Sequence, residues 1–304
     1  MQPIEIDLGY QDLEGAASAF LLNTNEGPIL VESGPSSTLG RLSDGLRSHG
    51  VEPEDISHVL LSHIHMDHAG AAGWFAQRGA MIHVHPRGKP HLADPSRLNA
   101  SALRIYGDRL EGLLGEMAPC PEEKLHATAD GEQVTIGELT FTAIETLGHA
   151  GHHHAWATTL DGERTCFTGD VAGMRIPDSN VVTVPLAPPE LDPQAWLSSI
   201  DRLEAADFDS LVLTHSGPVN LIGPHLEKLR KALEGEIALL TTLLEDENLD
   251  LNTRIERYLQ PLHQAAIDDG VPPEIAEAHL SPGYAAMNLM GVQRHLTRRN
   301  RSRG

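Results

Sequence analysis

Apolar and polar positions recur along this chain with two periods, and the switches between them outline its elements. Ser18–Asn23 and Pro28–Glu32 are short apolar runs joined by the polar stretch Thr24-Asn25-Glu26-Gly27, which predicts two strands and a hairpin turn. From Thr38 to His49 the period becomes helical, with Leu39, Leu42 and Leu46 on one face. Ser36, Ser37 or Thr38 can cap this helix, and Gly50 can stop it. Ile56–Leu61 then predicts a buried strand, Ala69–Arg78 a helix ending at Gly79, and Ala80–Val84 another strand.

The rhythm breaks between Pro86 and Pro121. This segment is rich in Pro, Gly and polar residues, with a helical stretch around Ala100–Leu114, and reads as an insertion suited to a pocket wall. Strand patterns return as two hairpins: Glu132–Ile136 with Leu139–Thr146 around Gly137, and Ala155–Leu160 with Thr165–Thr168 around Asp161-Gly162-Glu163. Asp192-Pro193 opens a helix, as N-cap and first-turn proline, that presents Trp196, Leu197, Ile200 and Leu203 on one face. Ser210–Thr214 is the last clear strand. After Pro224 only helical patterns remain, which divides the chain into a mixed region over 1–224, carrying the 86–121 insertion, and a helical module over 225–304.

Composition narrows the function. Lys and Arg number 22 against 43 Asp and Glu, a net charge of −21, and such a surface repels nucleic-acid phosphates and anionic membranes alike. The basic end, LTRRNRSRG, reads as a frayed, solvated terminus. The beginning, MQPIEIDLGY, has no leader pattern, and no apolar stretch is long enough to span a bilayer. Cys120 and Cys166 are too few for a disulfide framework, which fits a reducing cytoplasm; Cys166, within the apolar TCFT, suits core packing. Aromatics make up only 4% of the chain, so aliphatic side chains must fill most of its core.

Histidine is the outlying residue type, at 18 of 304, and its positions are uneven. In LLSHIHMDHAG, His63, His65, Asp67 and His68 fall within six positions, directly after an apolar strand. Burying four such side chains without partners is costly, so a shared partner such as a metal ion is implied. Imidazole with carboxylate suits zinc, iron or manganese better than magnesium or calcium. His63 and His65, two apart in extended chain, share a face. Asp67 and His68 come at the turn into the next helix and can serve a second centre. Three further segments repeat the layout of an apolar strand ending in a ligand-type residue: TAIETLGH at His149, CFTGD at Asp170 and SLVLTH at His215.

With HxHxDH followed by GH, GD and a late strand-terminal TH, the chain resembles the metallo-β-lactamase superfamily, over about 1–225. That superfamily includes glyoxalase II, acyl-homoserine lactonases, alkyl sulfatases and persulfide dioxygenases. The resemblance implies an α+β fold, a four-layer αββα sandwich, here followed by a small C-terminal helical module. It implies that His63, His65 and His149 hold a first ion, that Asp67, His68 and His215 hold a second, and that Asp170 and a water bridge them. The sequence departs from the pattern twice. TLGHAGHHH stands where many members read TPGHTxGH, with Leu147 replacing Pro and a His at the second Gly position. His152, His153 and His154 are thus either a hydrogen-bonded strand start or groups reaching the substrate. The segment after Asp170, VAGMRIP, lacks the tyrosine that acyl-homoserine lactonases place there, which speaks against a lactonase.

The expected activity is that of a glyoxalase II-like, binuclear metallo-hydrolase. A hydroxide bridging two divalent transition-metal ions, zinc first and iron or manganese as alternatives, attacks an ester, thioester or lactone of a small molecule. Asp67 is the candidate catalytic residue, able to orient that hydroxide or carry its proton. A mono-iron, oxygen-dependent enzyme of the persulfide-dioxygenase kind is the runner-up. A phosphodiesterase or nuclease fits the charge less well, and a scaffold that has lost activity fits poorly with a complete ligand set. Arg104 and Tyr106 in the insertion, and Met174 and Arg175 after Asp170, are candidate pocket residues. In LSPGYAAMNLMGVQRHL, Met287, Met290 and Leu296 read as ordinary helix packing. The insertion and the tail are candidate homodimer contacts; no nucleic-acid or membrane partner is expected, and a cytoplasmic location is.

Overall fold

The structure is a computed structural model that describes residues 2–177 and 179–301. Its contacts divide the chain into two compact units, both discontinuous in sequence. Met1–Glu145, His152–Gly169 and Phe208–Asn220 form the first, and Thr146–Gly151, Asp170–Asp207 and Leu221–Gly304 the second.

The first unit holds two six-stranded sheets. In one, β1 (Ile4–Asp7), β2 (Ser18–Thr24), β3 (Gly27–Val31), β4 (His58–Leu60), β5 (Met81–Val84) and β6 (Leu125–Ala127) lie in chain order. The first three strands are antiparallel, with a loop through Tyr10–Asp12 between β1 and β2 and a tight turn between β2 and β3; β3 to β6 run parallel. Parallel neighbours need long crossovers. These are α1 (Leu39–Ser48), then α2 (Met66–Ala69) and α3 (Ala72–Ala76), then α4 (Lys89–Ala93), α5 (Ser96–Tyr106) and α6 (Leu110–Leu113). The other sheet contains β7 (Gln133–Ile136), β8 (Leu139–Glu145), β9 (His154–Leu160), β10 (Glu163–Gly169), β13 (Ser210–Leu213) and β14 (Gly217–Val219). It is antiparallel except for the β10–β13 pair.

The period-2 alternation of β2 shows how the two sheets pack. Phe20 and Leu22 enter a core between the sheets with Ile29, Leu60, Phe141 and Trp156. Ala19 and Leu21 face the opposite way, into a second core with Leu42 and Leu46 of α1 and Phe75 of α3. Trp156, fully buried, donates its indole N–H to the Leu61 carbonyl, 3.0 Å away, so the polar edge of the largest core residue is satisfied.

Several boundaries differ from the sequence expectation for identifiable reasons. The helix expected over Ala69–Arg78 begins earlier, at Met66, and is interrupted. Gly70 lies so close to the backbone of Pro35 and Ser36 that a Cβ there would collide with both, and the next N–H, that of Ala71, leaves the helical ladder to donate to the Gly34 carbonyl at 3.0 Å. The insertion helix starts at Ser96 and stops at Tyr106, where Gly107 takes a positive φ of 55°. Strands β1, β6 and β14, of three or four residues each, were not expected. Their pairing partners, rather than their own short patterns, define them. Cys166 is buried in β10, and burial pushes its thiol up; the Cys120 thiol, also buried, is pushed up to about 12.

The second unit carries a two-stranded ribbon, β11 (Met174–Arg175) with β12 (Val182–Thr183), and the remaining helices: α7 (Pro193–Ala205), α8 (Ile222–Glu245), α9 (Leu251–Asp268), α10 (Pro273–His279) and α11 (Pro282–Arg301). Asp192 caps α7 as its sequence predicts, accepting from Gln194 N and Ala195 N. The basic tail is not frayed through Arg301. It continues α11, with Arg298 Nη2 donating to the Leu191 carbonyl at 2.5 Å, and 302–304 lie outside the described residues. No helix among the described residues is long and apolar enough to cross a membrane.

One buried acid stands among these helices. Glu236 of α8 accepts from Thr183 Oγ1 at 2.8 Å and from the Tyr258 hydroxyl. Burial outweighs those bonds and raises its pKa from 4.5 to about 7. A carboxyl with a raised folded-state pKa binds its proton more tightly in the folded chain. Its contribution to stability is complete below pH 4.5 and is lost as pH rises toward 7. Glu236→Gln is therefore expected to flatten the loss of stability across that window. Denaturant unfolding at several pH values checks this, with a difference of about 3 kcal/mol between its ends.

Candidate metal centre

The turn after β4 concentrates the ligand-type residues of the first unit. The backbone holds it from three sides: Leu61 N donates to the His83 carbonyl, Ser33 N to the His68 carbonyl, and His154 N to the Ser62 carbonyl, each at 2.9–3.0 Å. His63 and His65, extended and two apart, share a face, and His63 Nε2 lies 2.9 Å from His65 Nδ1. His63 Nδ1 is engaged by Ser62 Oγ at 3.0 Å, the local role its position suggests. His65 then begins α2, whose first turn carries Asp67 and His68.

His215, just past β13, completes a cluster. The ligating atoms of Asp67, His68 and His215 lie within 4.8 Å of one another. Nε2 of both His68 and His215 is 3.9 Å from Asp67 Oδ2. Their other ring nitrogens are held from behind: His215 Nδ1 donates to the Ala16 carbonyl at 2.5 Å, and His68 Nδ1 lies 3.3 Å from Glu32 Oε1. Both imidazoles are buried, whereas the Asp67 side chain keeps 28% of its surface exposed. Two imidazoles converging on a partly open carboxylate, each backed by an oxygen acceptor, is a donor set that fits a divalent transition metal.

In the second unit, His149 and Asp170 meet directly. His149 Nε2 is 3.3 Å from Asp170 Oδ2, and His149 Nδ1 donates to the Pro185 carbonyl at 2.8 Å. Gly148 precedes His149 with φ 132°, and a Cβ on it would collide with the backbone of Trp196. The Gly of the GH pair is thus a packing requirement. The seven ligand positions predicted from sequence therefore fall as His63, His65, Asp67, His68 and His215 in the first unit and His149 and Asp170 in the second.

The three consecutive histidines differ in environment. His154 is buried at the start of β9, its Nε2 2.8 Å from the Leu61 carbonyl, and burial holds its pKa down near 3. It is a neutral structural residue. The His152 and His153 rings instead flank His63, at centroid distances of 6.1 and 4.9 Å. Tyr106, from the insertion, comes near enough to Asp67 that burial and then the Asp67 carboxylate raise its phenol to about 12; Tyr10 is raised by the same two causes.

Sequence reasoning missed Glu32 and Tyr10. Glu32 is 1% exposed and adopts φ 65°, rare for a side-chain-bearing residue, and it receives Ser62 N and Thr214 Oγ1 at 3.4 Å each. A glutamate ending an apolar strand was its one visible signal.

A family model described as the metallo-beta-lactamase superfamily matches residues 13–215. The chain belongs to the metallo-β-lactamase superfamily. Among curated superfamily relatives, it is 24% identical over 238 residues to the metallo-beta-lactamase fold-containing protein ST1585 of Sulfurisphaera tokodaii, covering 76% of this chain and 85% of that one. It is 34% identical over 86 residues to the N-acyl homoserine lactonase of Bacillus cereus, over 21% of this chain and 34% of that enzyme. Among solved structures, the family protein TTHA1429 of Thermus thermophilus aligns with a TM-score of 0.68 at 19% identity, covering 98% of this chain and 93% of that one. The ST1585 structure aligns at 0.66, with 20% identity and 96% and 98% coverage. The α+β metallo-β-lactamase fold with C-terminal helices is thereby established.

Proposed function

We propose that this chain is a metal-dependent hydrolase that opens an ester, thioester or lactone bond of a small molecule. The observation that carries the reading is the convergence of Asp67, His68 and His215 in a chain that matches the metallo-β-lactamase superfamily over residues 13–215. In this reading His63, His65 and His149 hold one ion, Asp67, His68 and His215 the other, and Asp170 serves both. Zinc suits this mix of imidazole and carboxylate best. Two such ions, when bound, supply a water-derived nucleophile at neutral pH and an electrophile for the carbonyl oxygen.

The chain's own residues do the rest. Glu32, Ser62 and the carbonyls of Ala16 and Pro185 fix the imidazoles from behind, so no reorganisation is needed when substrate arrives. Asp67, the one partly exposed carboxylate of its cluster, is placed to take up the proton lost by the attacking water. Tyr106 and Tyr10, kept neutral beside Asp67, offer hydroxyl donors to a substrate oxygen. The similarity to a lactonase supports including lactones, whereas the absence of a tyrosine in Val171–Pro177 weighs towards esters and thioesters.

Elemental analysis of protein purified without added metal tests this reading. About two zinc ions per chain, with turnover of an ester, thioester or lactone panel that a chelator abolishes, is the expected result. About one iron per chain, with oxygen consumed on thiol or persulfide substrates, overturns it in favour of oxygen chemistry.

A further inference from the structure

Helix α11 meets the backbone on either side of Pro185 through one stripe of its surface. Tyr284, Asn288 and Gly291 are spaced four and three residues apart and so share a helical face. Asn288 is 1% exposed. Its Nδ2 donates to the Val184 carbonyl at 2.9 Å, and its Oδ1 accepts from Leu186 N, also at 2.9 Å. A primary amide is the side chain suited to both tasks, offering donors and an acceptor on one planar group. Its remaining donor reaches Tyr258 Oη at 2.8 Å, and Tyr284 Oη adds a second bond to the Val184 carbonyl at 2.9 Å. At Gly291 a Cβ would collide with the Leu186 carbonyl oxygen, so the helix lies as close to this segment as backbone allows.

The Leu186 N–H and the Pro185 C=O belong to a single planar peptide unit and point in opposite directions. Asn288 holds the N–H end of that plane. The carbonyl end is the oxygen that receives His149 Nδ1 at 2.8 Å. Pro185 has no N–H of its own with which to anchor the segment. A carbonyl oxygen only accepts, so the neutral His149 ring must carry its proton on Nδ1. That leaves the Nε2 lone pair facing Asp170 Oδ2, 3.3 Å away.

We infer that Asn288 is a positioning residue for the metal centre: acting through the Pro185–Leu186 peptide, it fixes His149 as the Nδ1–H tautomer with Nε2 as the ligand atom. The inference rests on the reading of His149 as a metal ligand. It gives the Met-rich C-terminal segment a role beyond packing, one carried by its buried asparagine rather than its methionines.

The test uses the full chain, labelled with ¹⁵N-histidine and stripped of metal, in wild-type, Asn288→Leu, Gly291→Ala and His149→Ala forms. The His149 ring signals, assigned by their loss in His149→Ala, report the tautomer, and a chelator competition reports zinc affinity. The wild type is expected to keep a proton on Nδ1. Asn288→Leu is expected to populate the Nε2–H form and to weaken zinc binding by about tenfold. Gly291→Ala pushes on the adjoining Leu186–Ala187 peptide, and through Leu186 on the Pro185–Leu186 plane, without touching the amide, and it carries the test if Asn288→Leu does not fold. An unchanged tautomer with zinc affinity within about twofold of wild type overturns the inference while leaving the metal reading intact. Wild-type zinc affinity in His149→Ala shows instead that the ligand reading is wrong, and the inference falls with it.

Discussion

Asp170→Ala is expected to abolish turnover and lower metal content together. The carboxylate is 2% exposed and faces His149 Nε2 at 3.3 Å, and in the proposed centre it serves both ions. Removing it deletes a ligand from each and leaves the buried imidazole beside an empty volume. The loss of activity should be at least about 100-fold, beyond the range seen when only a ligand's supporting partner is removed. Elemental analysis and turnover measured on the same preparation check it. Full activity with unchanged metal would remove Asp170 from the centre. Restoring activity with excess zinc would show that the carboxylate supports affinity and has no further part in the reaction.

Glu32→Ala is expected to cost about 3 kcal/mol of stability as well as metal, because it strips partners from several buried groups at once. His68 Nδ1, Ser62 N and Thr214 Oγ1 all face this carboxylate, and no water reaches them easily at 1% exposure. Glu32→Gln separates the two effects. The amide oxygen can still accept from Ser62 and Thr214, so the fold should tolerate it. Its NH₂, turned toward His68, would favour the tautomer with the proton on Nε2, the nitrogen needed for metal. Denaturant unfolding and zinc competition on both variants check this. Equal stability of Glu32→Ala and wild type would mean that the carboxylate is not a structural hub.

Much of this was legible in the chain, and the reasons are local. The hairpins of β2–β3, β7–β8 and β9–β10 were readable because their apolar runs are bounded by turn residues such as Gly137 and Asp161-Gly162, which take positive φ in the structure. The α7 cap was readable because Asp-Pro at a helix start has a chemical reason. The candidate ligand positions stood out because four apolar runs lead into ligand-type residues, at His63, His149, Asp170 and His215, the first followed at once by His65, Asp67 and His68. Glu32 was not, because a single acid after a strand looks like a solvated end until the fold closes over it. Asn288 was hidden for the same reason: nothing near it in sequence shows that its amide will meet a peptide about a hundred residues away. The discontinuity of the two compact units was likewise invisible, since segments such as 146–151 carry no compositional mark of where they pack.

The positions of two tryptophans have a practical consequence. Trp156 lies fully buried between the sheets of the first unit. Trp196, equally buried in the second, sets its ring edge-on to His149 at a centroid distance of 5.5 Å. Each compact unit thus has its own built-in fluorophore. With Trp156 and the peripheral Trp74 replaced by phenylalanine, emission from Trp196 alone would report events at His149 without any added dye. A paramagnetic ion such as Cu(II) bound there would quench that emission strongly, whereas closed-shell zinc would leave it bright. The identity of the metal could then be followed optically, during loading, in the same cuvette as the reaction.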